Sequence, residues 1–154
     1  MALWPAEIDP FISILPTPTP AVLPLLLDLP GVQPSIHIGL YLPTGGQESD
    51  FILALADLAS VIESVSLNYR DVPIFLRGDA NVNPSHRTRP QLWAHFLDRF
   101  HLSLLDIGHL TYHHTSGQGA SDSPLDIIAS PSTNPESLSH IICGHEDPRV
   151  LFFP

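Results

Sequence analysis

An apolar run, Ile74-Phe75-Leu76, leads directly into Arg77-Gly78-Asp79-Ala80-Asn81. Such a run reads as a short buried strand, and a strand end fixes backbone position while a glycine lets a ligand come close. In an extended stretch Asp79 and Asn81 point to the same side. Asp79 then offers a carboxylate for a metal ion or for use as a general base, and Asn81 a neutral amide that can hold a phosphoryl oxygen. Together they suit half of a metal-assisted phosphodiester hydrolysis site; the same letters also make an ordinary turn with Asx bonding. Tyr41 closes a second strand-like run and carries a hydroxyl able to donate to a phosphate, or it is a half-buried ring on a sheet. Asp126 stands at the head of the apolar Ile127-Ile128. A carboxylate inside a strand needs a partner: a histidine that it orients, or neighbouring backbone N–H groups.

The surrounding elements can be read from periodicity. Ser35–Leu42 alternates, with Ile36, Ile38, Leu40 and Leu42 opposed to His37, Gly39 and Tyr41, which predicts a strand. Phe51, Leu55, Leu58, Ile62 and Val65 recur at steps of four and three, which predicts an amphipathic helix over 47–68. Pro90 suits a first helical turn, and Trp93, Phe96, Leu97 and Phe100 form the stripe of a helix over 90–102. Residues 1–20 read as irregular, 21–29 as an edge strand broken at Pro24, and 110–113, 125–129 and 138–142 as strands. The segment 115–123 reads as a Gly/Ser loop. Strands alternating with helices make an α/β or layered α+β domain.

Composition narrows the chemistry. The 154 residues include 6 basic and 16 acidic side chains, a formal net charge of −10, and every basic residue is an arginine. A broad basic face that binds nucleic acid by displacing counterions is therefore excluded; phosphate chemistry would rest on a divalent ion and a few local arginines. One cysteine, Cys143, rules out an internal disulfide and fits a reducing, intracellular setting. His113, His114, Cys143 and His145 offer zinc-type ligands, but their spacing matches no common zinc module. There is no glycine-rich nucleotide-binding fingerprint.

In their order and spacing these segments resemble the endonuclease/exonuclease/phosphatase family, most closely the endonuclease domains of non-LTR retrotransposons. The carrying elements are the strand ending Tyr41-Leu42-Pro43, the helix beginning near Phe51, Gly78-Asp79-Ala80-Asn81, the arginine loop, Thr111-Tyr112-His113-His114 and Ser123-Pro124-Leu125-Asp126. The resemblance implies a partial four-layer α/β sandwich of two packed mixed β-sheets with outer helices. It divides the chain into a proline-rich segment, 1–34, with an edge strand, and the family-like domain, 35–154. It implies Asp79 beside Mg2+ (or Mn2+) or activating water, Asn81 and Tyr41 on the scissile phosphate, and Asp126 orienting a histidine. Arg87, Arg89 and Thr111 are candidates for substrate contact, and DNA is the implied partner. Nothing in Met1–Leu29 matches the family's Gln-Glu pair, whose glutamate holds the metal, and the catalytic histidine finds no match before Pro154. The expectation is a domain incomplete at both ends, inactive or weak as a hydrolase, or a non-catalytic remnant of the same fold. Self-association through exposed apolar sheet faces would follow.

Overall fold

The computed structural model describes residues 4–82, 87–105, 112–116, 119–123 and 126–131. A short 3-10 helix, Ala6–Phe11, runs into strand β1 (Ile12–Ile14), followed by β2 (Val22–Leu27) and β3 (Ser35–Tyr41). Helix α1 (Glu48–Asn68) crosses to β4 (Ile74–Asp79), and α2 (Arg89–Arg99) leads to β5 (Leu102–Leu104). Strands β6 (Tyr112–Ser116), β7 (Gly119–Ser123) and β8 (Asp126–Pro131) follow.

Six strands form one mixed sheet in the order β1-β2-β3-β4-β8-β5, and β6 pairs with β7 in a separate two-stranded ribbon. The β3–β4 pair is parallel, joined through α1; every other pairing in the sheet is antiparallel. The expected mixed α/β architecture is therefore present. Among the described residues, the β6–β7 ribbon is all there is of a second sheet.

Alternation decides which face meets the helices. Ile36, Ile38 and Leu40 of β3, Leu76 of β4 and Ala129 of β8 share one core with Phe51, Leu55, Leu58, Ile62 and Val65 of α1 and Trp93, Phe96 and Leu97 of α2. Each fully buried Leu, Ile or Phe contributes about 1.5–3 kcal/mol through the area it removes from water. The helix stripe predicted from spacing is thus the buried stripe. A capping box between Gln47 and Asp50 starts α1, tying two otherwise unpaired N–H groups. A surface ion pair, Arg99–Glu63 at 2.5 Å, links the two helices.

Four expectations from the sequence change. β2 lies inside the sheet rather than at its edge. Its proline is tolerated because the Pro24 carbonyl points to Leu15 just past the end of β1, so its missing N–H faces the place where that ladder stops. The supposedly irregular 1–20 contains β1, the true edge strand, too short for alternation to reveal. Residues 115–116 and 119–123 of the Gly/Ser segment belong to the β6–β7 ladder, because ladder bonds come from backbone groups and need no apolar side chains. Helix α2 stops at Arg99, and His101 takes φ 52°, which reverses the chain into β5. The strand expected at 138–142 lies outside the described residues.

The sheet face turned away from the helices is polar at its centre. His37 and Arg77, each 8% exposed, lie there with Leu25 and Phe75, so this stretch is not an exposed apolar surface. The His37 ring stacks on Phe75 at 5.1 Å and shares a 2.9 Å hydrogen bond with the Ser35 hydroxyl. Burial, and then the nearby Arg77 charge, push the His37 pKa down to about 3. Burial also lowers the pKa of Arg77, whose Nε has no hydrogen-bond partner among the described residues.

His37 is neutral in the folded chain and takes a proton more readily when unfolded, so folding loses stability as pH falls below the unfolded value of 6.5 toward 3. Urea denaturation is expected to show a loss of about 2 kcal/mol between pH 7 and pH 5 that His37→Phe removes. An equal loss in that variant would show that other groups cause it.

Candidate active site

The strand ends of β3, β4 and β8 meet at one rim. Tyr41 stands opposite Asp79 in the parallel β3–β4 register, and Asp79 stands opposite Asp126 in the antiparallel β4–β8 register. Three residues from distant parts of the chain therefore occupy one transverse row. The β3–β4 join continues past the strand, where the Leu42 N–H donates to the Asp79 carbonyl at 2.9 Å. Tyr41 is 58% exposed, which leaves its ring accessible at the rim.

Asn81 sits differently from the extended reading. The chain leaves the strand after Asp79, and Asn81 adopts φ 49°, a left-handed conformation that asparagine tolerates better than most residues. Its backbone N–H donates to Asp79 Oδ1 at 2.9 Å, the Asx-type turn that the letters also allowed. Its side chain is 6% exposed, and Nδ2 donates to the Leu42 carbonyl at 2.6 Å. Asp79 and Asn81 are thus linked side chain to backbone instead of projecting together, and Asn81 ties the end of β4 to the end of β3.

Gly78 makes this closeness possible. Its φ is +130°, and a Cβ added there would lie 2.1 Å from the Leu40 carbonyl oxygen. No side chain fits between the two strands at this point.

The two arginine candidates part company. Arg87 is exposed. Arg89 is 4% exposed, and its guanidinium donates to the carbonyls of Pro43, Thr44 and Gly45 at 2.7, 3.2 and 3.4 Å while lying 4.9 Å above the Phe51 ring. Thr111 lies outside the described residues. Sequence reading passed over the buried His37–Arg77 neighbours; the available signal was two ionisable residues at like-parity positions in otherwise apolar strands.

Comparison with solved structures settles the architecture. The chain matches the endonuclease domain of TRAS1, a telomere-specific non-LTR retrotransposon, with a TM-score of 0.59 at 14% identity, over 78% of this chain and 56% of that one. The chain adopts the endonuclease/exonuclease/phosphatase fold. A mannosyl-6-phosphatase of Bacteroides thetaiotaomicron matches with a TM-score of 0.52 at 14% identity, over 73% of this chain and 42% of the other. An endonuclease/exonuclease/phosphatase family protein from the same organism gives 0.50 at 14% identity, over 71% and 40%. This chain therefore spans about half the length of the endonuclease/exonuclease/phosphatase-fold structures it matches. No family model matches, and no curated protein matches by sequence.

Gly78→Ala is expected to cost on the order of 3 kcal/mol, from strain at positive φ and collision with backbone. Urea denaturation measures it; a change below about 0.5 kcal/mol, the range of an ordinary surface substitution, would mean that β3 and β4 do not approach this closely.

Proposed function

We propose that this endonuclease/exonuclease/phosphatase-fold chain carries the scaffold of a divalent-metal-dependent phosphodiester hydrolase of the DNA endonuclease kind, derived from a retroelement. The observation that supports this most directly is the row Tyr41–Asp79–Asp126 at one sheet rim. In this reading Tyr41 donates its hydroxyl to a phosphoryl oxygen, and Asp79 orients or deprotonates the attacking water. Asp126 orients a histidine, and Asn81, expected on the scissile phosphate, instead holds the strand ends in place through its amide on the Leu42 carbonyl.

The residues fit a metal ion only in part. Among the described residues no three His, Cys, Asp or Glu side chains gather as a ligand group. Asp79 would supply a carboxylate to a Mg2+ (or Mn2+) site completed by water and substrate phosphate, a common arrangement for Mg2+. Such an ion, when bound, neutralises phosphate charge and makes water a better nucleophile. General acid–base groups contribute about 10²–10⁴-fold each, so without counterparts of the family's glutamate and histidine in these residues the chain acts slowly or not at all.

A second reading, a non-catalytic module on the same fold, draws support from charge. The chain carries −10, and two of the described arginines, Arg77 and Arg89, are buried. Buried guanidiniums displace no counterions from DNA.

Purified chain with Mg2+ is expected to nick supercoiled plasmid no faster than its Asp79→Ala variant; strong Asp79-dependent nicking would instead establish an active hydrolase. The site is tested separately with Mn2+, which should selectively broaden the NMR signals of Tyr41, Leu42 and Asp79, an effect absent from Asp79→Ala. Broadening spread alike over both proteins would reject the rim as a metal site.

Self-association has a physical basis in Ile14 and Leu104, 65% and 51% exposed on β1 and β5, the outermost strands among the described residues. Unpaired edges with apolar side chains invite pairing with another chain. Size-exclusion chromatography is expected to show a dimer fraction that Ile14→Lys reduces; a monomer at all concentrations would count against it.

A further inference from the structure

We propose that Arg89 is a positioning residue that sets the backbone path of the β3–α1 connection and so fixes where Tyr41 stands at the rim. The purpose of that rim rests on the hydrolase reading; the positioning does not.

Four successive carbonyls, Leu42 to Gly45, each accept from a side chain. Leu42 is bound by the Asn81 side chain, and Pro43, Thr44 and Gly45 by the Arg89 guanidinium. All four are thus held by two side chains from the β4–α2 segment. Thr44 and Gly45 are exposed, so their carbonyls could be satisfied by water at little cost. A buried charge, by contrast, is costly unless it is hydrogen-bonded. Arg89 meets that cost with the three carbonyls and the face of Phe51 below it, a favourable seat for a guanidinium.

The arrangement depends on the shape of the guanidinium. Its planar fork presents donors from separate nitrogens in a fixed geometry, whereas a lysine ammonium donates from one point. Lys at position 89 keeps the charge and most of the length but cannot reach three consecutive carbonyls. The far end of the connection is anchored as well: the Gln47 N–H donates to the Asp50 carboxylate at 3.0 Å, and the Thr88 hydroxyl to Glu48 at 2.8 Å. The stretch whose path Arg89 decides is therefore Leu42–Gly46, immediately after Tyr41.

The test uses the full chain and its Arg89→Lys variant, with peptide-level hydrogen exchange, 19F NMR of fluorotyrosine-labelled protein and thermal melting. Arg89→Lys is expected to speed exchange in 42–46 roughly tenfold while β3, β4 and the middle of α1 exchange as before, the pattern of a local rather than global opening. The Tyr41 fluorine signal, assigned with Tyr41→Phe, should shift or broaden while that of Tyr69 holds still. Wild-type exchange in 42–46 with an unmoved Tyr41 signal would overturn the proposal. So would faster exchange throughout the core or loss of a cooperative melt, either of which would make Arg89 a general stabiliser. None of these readouts needs catalysis, so absence of nicking leaves the result intact.

Discussion

The parallel register of β3 and β4 carries the rest of the structure. Parallel neighbours cannot be joined by a tight turn, so the chain must leave the end of β3, travel back along α1 and re-enter beside its starting strand. That requirement puts the two C-terminal strand ends side by side, with Tyr41 opposite Asp79. Gly78 allows the strands to close in at this point, and the Asn81 amide on the Leu42 carbonyl keeps them closed just beyond it. β8 then extends the row antiparallel to β4 and brings Asp126 opposite Asp79. In open sheets with parallel strands, ligand sites gather outside such C-terminal ends, and this is where Tyr41 and Asp79 stand.

The two sides of the sheet answer to different physics. Toward α1 and α2 the packing is apolar and follows alternation and helical spacing, so burial is the main source of stability. On the opposite side, a neutral histidine and an arginine occupy buried strand positions. A charge placed there is costly; burial first, and then the Arg77 charge, disfavours protonation of the histidine. Such a buried neutral histidine favours folding at neutral over acid pH.

Side chains that look alike in the sequence take opposite roles at the rim. Arg87 and Arg89 are two residues apart, yet one is exposed and the other is enclosed by backbone carbonyls and the Phe51 ring. Asp79 and Asn81 have the same spacing, yet the backbone turns left-handed between them and carries the asparagine inward. The amide therefore serves the join between β3 and β4, and the tyrosine stays exposed at the rim.

Much of the molecule could be read from residue order. The stripe Phe51–Val65 specifies α1 and its buried face, because a 3.6-residue period leaves one face apolar. The alternation at Ile36–Leu42 specifies β3 and separates Tyr41 from the core side. The succession of Tyr41, Asp79, Asn81 and Asp126 pointed to the fold that structural comparison found. Short strands such as β1 and β5, and the small, polar β7, left no periodic trace, since their pairing is made by backbone groups that every residue shares. The interior position of β2 despite Pro24, the inward turn of Asn81 and the enclosure of Arg89 were decided only by tertiary structure. Each depends on which carbonyls lie within hydrogen-bond reach across distant segments, and that is a property of the folded chain rather than of any local run of residues.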